Sequence, residues 1–526
     1  MRPVVALFER IPRPARVPIA LYAALAILVI PVFPHAVSPN EYSRWAVDVA
    51  IVDFGTVEVT PVLEATKIPI TDLAVRDGRY YSNKAPGAAL LVLPFYAAGR
   101  AIFGPPSAET MRATLTVIRI AGATIPLLIL AVSVAAVARR LDCRDERLRT
   151  GVTVMLFATP LLAYGLLFFA HALSALTLFG AWALLFIARR APRIDVAAGA
   201  VIGAAVLTEY PNAIPAAVLM ACALPRLRIA GTLRVIAGGI PFAVVLGLYN
   251  RLAFGSFFSL SSAHEADTHI REAARSGLFG VGLPSMTNVV QLLLDGGKGL
   301  LVISPVLLLA MAGLAAARRA MPLAAFVALL AVPLIIILTI SGYPYWFGGR
   351  TVGARYLIPI LPFLALLIAF AKETVIEALL LGASSSAVAV MSLVFPFIPT
   401  IYAVPWVSFS LPLLLHGCVA PNLLHFVWRP LAIAVPFAIV AAAVALALPR
   451  RRIALLAAGA LLWFGIGFVA EQRRPSEPYL RVLTEEVHFE RDGAIARAFP
   501  PGHPARRPLE EIAAAQKRMP PPGWPF

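Results

Sequence analysis

Charge is scarce in this sequence. Lys, Arg, Asp and Glu make up 14% of its 526 residues, against roughly a quarter in a soluble globular chain. With 60% hydrophobic residues and a mean hydropathy of +0.82, there is too little polar surface to keep such a chain in water. Soluble enzyme folds are excluded, and the net charge of +17 is read against a membrane rather than as a nucleic-acid footprint. Cysteine is scarcer still. Cys143, Cys222 and Cys418 have no ligand-type spacing, which excludes a zinc cluster and a disulfide framework. No P-loop occurs, and the close glycines Gly280 and Gly282 lack a βαβ setting, so no soluble nucleotide-sugar site is expected.

What fills the sequence instead is a succession of apolar runs. The first, at 17–32, follows Arg10, Arg13 and Arg16 and carries no A-x-A cleavage pattern, so it reads as an uncleaved signal anchor with a cytoplasmic N-terminus. Further runs near 114–138, 151–167, 171–188, 194–209, 211–225, 232–253, 299–317, 321–342, 356–371, 374–397, 429–448 and 453–469 predict an all-α polytopic membrane protein of about thirteen spans. The basic clusters support this count. Arg139 to Arg149, Arg189 to Arg193, Arg226 to Arg234, Arg318 and Arg319, Lys372, and Arg450 to Arg452 all fall on the side of the N-terminus.

The apolar stretch 85–103 would invert every later loop if counted as a span. It is therefore laid on the outer surface as a juxtamembrane helix, leaving 34–113 as one large external loop. The membrane domain then covers 1–469, and an odd span count puts the charged, proline-rich tail 470–526 outside, as a small appendage or a disordered segment.

This topology gathers the unusual polar residues on the external face. Such groups are costly at membrane depth unless they line a wet cavity. Directly after the first span comes Pro39-Asn40-Glu41-Tyr42-Ser43-Arg44-Trp45, where Glu41 could accept a proton from an incoming hydroxyl, or where Asn40 or Glu41 could simply cap a helix. Asp48 and Asp53 further along read as residues of a solvated face. The stretch from Asp72 through Arg76, Asp77, Gly78 and Tyr81 to Lys84 is densely polar. Lys84 suits a lipid phosphate or a snorkelling role, and Asp77-Gly78 suits the site or a turn.

His171, at the outer start of a span, could touch substrate or bridge helices, and Glu209 with Tyr210 sits at a break between short spans. Arg350 and Arg355 flank a glycine-rich turn and suit bidentate phosphate contacts. Trp346 could stack on a sugar or belong to the interfacial belt. His264, Glu265, Asp267 and His269 are spaced temptingly for a metal but read as a solvated loop, so no metal is predicted. Lys298, between Gly297 and Gly299, reads as a headgroup contact or a snorkelling lysine.

The acid after the first span, the Tyr80-Tyr81-Ser82-Asn83-Lys84-Ala85-Pro86-Gly87 stretch, and Tyr345-Trp346-Phe347-Gly348-Gly349-Arg350 running on to Gly353-Ala354-Arg355-Tyr356 together resemble the GT-C glycosyltransferases. The nearest are family 39-like enzymes, which include protein O-mannosyltransferases and lipid A aminoarabinose transferases. The resemblance covers about the first 370 residues in motif order.

It implies a GT-C fold in a bacterial-type inner membrane. The enzyme would take a sugar from a polyprenyl-phosphate donor and pass it to a glycan, lipid or protein acceptor on the external, periplasmic face, with no nucleic-acid partner. By resemblance Glu41 is the general base and Lys84 a donor-phosphate ligand, although Ala85 stands where the family motif has its first proline. Arg355 is the expected second phosphate ligand. The lining is expected from Asn40, Arg44, Asp72, Asp77, Tyr81, His171, Glu209, Tyr210, Trp346 and Arg350. The competing reading is a transporter or flippase of lipid-linked sugars, which should show paired broken helices at midplane; no such repeat is visible.

Overall fold

The computed structural model describes residues 11–32, 38–68, 70–107, 110–275, 280–398, 403–415, 419–420 and 422–470. The expected appendage beyond Ala470, and Arg10, lie outside the described residues. An apolar chain in a bilayer must close its backbone hydrogen bonds internally, and the described chain is helical nearly throughout. Among the described residues, five helices, Thr110–Arg140, Tyr210–Phe254, Leu323–Ser341, Val375–Val394 and Arg450–Ala470, are long and apolar enough to cross a membrane. Gly87–Phe103, His171–Ile187, Arg355–Phe370 and Pro430–Leu446 are shorter apolar helices.

Two expected spans take a different form. The run at 151–167 breaks at Phe157, and 158–170 is a fully buried passage with only one helical turn, Leu161–Tyr164, before the helix His171–Trp182. Pro160 breaks the ladder, and side chains satisfy part of the freed backbone. Tyr22 Oη donates to the Leu162 carbonyl at 3.2 Å and Thr124 Oγ1 to that of Gly165 at 2.7 Å. The run at 299–317 is likewise split at Pro305 into Leu300–Ile303 and Leu309–Ala320.

The helix Ala213–Phe254 breaks at Arg228 (φ 54°, ψ −177°). Arg190 reaches the carbonyls of Arg226 and Leu227, whereas Asp195, Gly199 and Gly203 meet Arg234, Val235 and Phe242 in increasing order. The chain therefore reverses at Arg228, giving the two helices expected at 211–225 and 232–253. At a neighbouring basic cluster Arg147 turns inward, donating to Glu377 at 2.5 Å and to the Ile368 carbonyl at 2.8 Å.

Small residues let these helices touch where no aqueous hydrophobic effect drives them together. A Cβ on Gly382 would strike the Leu456 carbonyl, and one on Gly459 the Leu379 carbonyl, so Val375–Val394 and Ile453–Ala470 meet backbone to backbone. Gly382→Leu is expected to lower stability by about 2 kcal/mol through overpacking. Gly465→Leu, whose added carbon would meet nothing within 4 Å, should leave the thermal midpoint in detergent unchanged. Equal midpoints for the two variants would remove the packing argument.

The first loop forms a layer over one end of the bundle. Pro39–Phe54 packs on Gly87–Phe103, which packs in turn on Thr110–Arg119. Gly87 is required where its helix begins, since a Cβ would lie 2.6 Å from the Leu207 carbonyl group. Between these helices runs a hairpin, β1 (Leu73–Arg76) and β2 (Arg79–Ser82), in register Leu73 to Ser82. A segment of the 255–299 loop bridges β1 through Ala74 and Glu265, and the Ala266 N–H donates to the Leu73 carbonyl at 2.9 Å.

Candidate active site

Ser38 caps the helix Pro39–Phe54, its Oγ accepting the Glu41 N–H at 3.4 Å with the spacing of a capping box. The Glu41 carboxylate turns inward. It accepts Arg119 Nε at 2.7 Å, Arg119 Nη2 at 2.6 Å and the Phe168 N–H at 2.6 Å. Arg119 ends a helix that widens into a π turn over Ile120–Thr124, and the two side chains are 1% and 0% exposed. Glu41 therefore sits in the interior as the counter-charge that an arginine buried in an apolar helix needs.

The charged residues that do converge lie one turn further on and in the later breaks. Arg44 donates to the Asn40 side chain and, at 2.7 Å, to Glu209. Lys84 Nζ donates to Asp72 at 2.8 Å. Burial works against the Asp72 carboxylate, yet the Lys84 charge and hydrogen bond, with Arg355 and Arg44 behind them, hold its carboxyl below the usual range. Arg355 lies over the Tyr356 and Phe169 rings at 4.8 and 5.8 Å and donates to the Tyr356 hydroxyl at 2.8 Å. His171 meets Tyr356 and Tyr164 edge-on, within reach of the charges of Arg355, Arg44 and Lys84.

Four buried atoms of this cluster have no partner among the described residues: Arg44 Nε, Arg355 Nε, His171 Nε2 and Asn83 Oδ1. Buried polar atoms are rarely left unpaired. Two of the four are guanidinium donors, which an anion with hydrogen-bond acceptors would satisfy.

The remaining expected residues have contacts of their own. Asp77 and Gly78 both have positive φ (51° and 76°) and make the two-residue turn of the hairpin, with Asp77 paired to Arg76. Tyr81 packs edge-on against Phe254. Tyr210 follows Glu209 in a short 3-10 turn. Trp346 is half-buried beside Phe347, and Arg350 is exposed. Asp48 is fully buried rather than solvated, with neither carboxylate oxygen partnered among the described residues, and burial pushes its carboxyl well above the usual range. Asp53, half-buried, pairs with Arg100 at 2.6 Å.

No family model and no curated protein matches this chain. Among solved structures it is similar to ArnT from Cupriavidus metallidurans bound to undecaprenyl phosphate, with 15% identity over 98% of this chain and 88% of that one at a TM-score of 0.48. The apo form of the same protein gives 14% identity over 89% and 77%, at 0.48. An Archaeoglobus fulgidus oligosaccharyltransferase tethered with an acceptor peptide gives 14% over 93% and 59%, at 0.38.

Two residues have roles that the sequence did not suggest. Lys298 is neither at a headgroup nor snorkelling: it is 3% exposed, and its Nζ donates to the carbonyls of Gly349 and Thr351 at 2.8 and 2.6 Å. Glu265, read as part of a solvated loop, is 8% exposed and accepts from Asn83 Nδ2 at 2.9 Å, beside Lys84. Among the described residues, no three His, Cys, Asp or Glu side chains gather in a metal-holding group. His264 stacks on Phe254 and bonds Ser259.

Proposed function

We propose that this chain is a membrane glycosyltransferase that moves a sugar from a polyprenyl-phosphate donor to an acceptor on the external, periplasmic face of a bacterial-type inner membrane, with its N-terminus cytoplasmic. The observation that carries this is the convergence of Lys84, Arg44 and Arg355, with unpartnered guanidinium hydrogens, under a polar layer at one end of an apolar bundle. A lipid-linked phosphate brings its apolar chain to the bundle and its charge to that cluster. Cleaving the bond from the anomeric carbon to phosphate adds negative charge to the leaving group, and fixed cations stabilise it as it develops. Asp72 keeps Lys84 oriented, and the aromatic edges of Tyr164, His171 and Tyr356 supply a wall for a sugar ring.

The test is the affinity of purified protein for undecaprenyl phosphate. Lys84→Ala and Arg355→Ala should each weaken it by roughly 10- to 100-fold, the worth of a charge-assisted contact to phosphate. Wild-type affinity in both variants would overturn the assignment of the cluster to the donor phosphate.

A further inference from the structure

We infer that Glu265, brought in by the second large loop, is the group that takes the proton from the acceptor hydroxyl. The inference rests on the transferase reading above and goes beyond it by naming a residue that no motif of the resemblance covers.

Several carboxylates surround the charge cluster. Glu41 is bound by Arg119, Asp72 by Lys84 and Glu209 by Arg44, at 2.6, 2.8 and 2.7 Å. Each of these carboxylates is thus already engaged by a cation at hydrogen-bond distance. Glu265 differs: among the described residues it makes no ion pair, and its side-chain bond is to the neutral amide of Asn83, the residue next to Lys84.

Its position is set by backbone rather than by charge. The bridge to Ala74 and the Ala266 N–H to the Leu73 carbonyl hold the segment against β1, and Ser261 Oγ donates to the Asn83 carbonyl at 2.8 Å. Lys84 and Asp72 face it from the first loop, Asp267 from its own loop and Tyr343 from the aromatic turn that leads to Arg355.

Burial, offset in part by the Asn83 hydrogen bond and Lys84, pushes the Glu265 carboxyl up to about 7. A base of that strength is half ionised near neutrality and still holds a proton well, which suits general-base catalysis.

The step balances without a further reagent. The acceptor O–H bond breaks, its proton goes to the Glu265 carboxylate, and its oxygen forms a bond to the anomeric carbon. The bond from that carbon to the phosphate oxygen breaks, and the electron pair leaves on the polyprenyl phosphate held by Lys84 and Arg355.

The experiment measures release of undecaprenyl phosphate from undecaprenyl phospho-pentose and phospho-hexose donors, with membranes lacking this protein as the acceptor source. Wild type should show a rate that rises with pH through about 7, since only the ionised carboxylate is competent. Glu265→Gln still accepts the Asn83 bond but cannot take a proton, so the rate should fall by roughly 10²- to 10⁴-fold and the limb near neutrality should vanish. Its affinity for undecaprenyl phosphate should stay within about threefold of wild type. Glu265→Asp should keep part of the rate with a displaced limb. This variant decides the matter if the glutamine form does not fold.

A glutamine variant with wild-type rate and pH limb overturns the role of Glu265 and leaves the transferase reading standing. A wild-type protein that binds undecaprenyl phosphate and releases none from any donor overturns that reading, and the role of Glu265 falls with it.

Discussion

Glu41→Gln is expected to cost the folded protein about 3–5 kcal/mol, the usual price of breaking a fully buried ion pair from one side. The amide has the volume of the acid, but it offers Arg119 one neutral acceptor where the carboxylate offered two charged ones at 2.7 and 2.6 Å. The guanidinium, 1% exposed, then loses the charge of Glu41 in the protein interior. Arg119→Met strands the carboxylate in the same way and should cost a similar amount. Glu41→Leu combined with Arg119→Met removes both charges and leaves the Phe168 N–H as the unpaired group. That double variant should recover most of the loss, to within about 1–3 kcal/mol of wild type.

Thermal unfolding of the four proteins in one detergent reads this directly. The competing expectation, a catalytic base at 41, predicts the opposite pattern. Under it, Glu41→Gln would unfold at the wild-type midpoint while turnover dropped by roughly 10²-fold or more. That pattern would return Glu41 to catalysis.

The same pair shows what the sequence could and could not reveal. Arg119 lies inside the run 114–138, and a charge at such depth demands a partner on physical grounds alone. Nothing local names that partner, because Glu41 is 78 positions away and its neighbours read as an ordinary helix start. Arg355, His171 and Glu209 stand out because each lies at the edge of an apolar run, where a polar residue is expensive, and Lys84 because it closes a polar stretch directly before one. Glu265 was not, since in a polar loop one more acid carries no signal, and its place beside Lys84 comes from pairing with a hairpin far away in sequence.

The helices follow the same division. Apolar length predicts that a segment crosses, but breaks such as 158–170 depend on which side chains are at hand to satisfy the freed backbone. For Asp77-Gly78 the sequence left a lining role and a turn both open, and the hairpin uses the dipeptide as its two-residue turn. Lys298 is the reverse case. A lysine before a span is commonly a snorkelling residue, and only the fold shows that its ammonium points into a turn fifty residues later.

Lys298→Met should therefore weaken the protein by about 2–4 kcal/mol and lower its affinity for undecaprenyl phosphate, although the ammonium is given over to backbone carbonyls. Gly348, Gly349 and Gly353 hold φ of 70°, 71° and 67°, a left-handed path that no regular ladder supports. Lys298 Nζ pins it at the Gly349 and Thr351 carbonyls, while the Tyr164 hydroxyl holds the Val352 carbonyl and the Ile398 carbonyl accepts the Thr351 N–H. Methionine fills the space but leaves two buried carbonyls unpaired, at about 1–3 kcal/mol each. Arg355 leaves this turn two residues after Gly353, so a loosened turn misplaces the guanidinium proposed for the donor phosphate.

The pH dependence gives an independent check. Burial, and after it the Arg355 charge, outweigh Asp295 and push the Lys298 ammonium down to about 7. In the unfolded chain the same lysine titrates at roughly 10.4. Between these values the unfolded chain binds the extra proton, so stability should rise with pH across that window. Lys298→Met should unfold earlier, bind undecaprenyl phosphate more weakly and lose that rise. A variant with wild-type midpoint, affinity and pH slope would show that the turn holds Arg355 in place by itself.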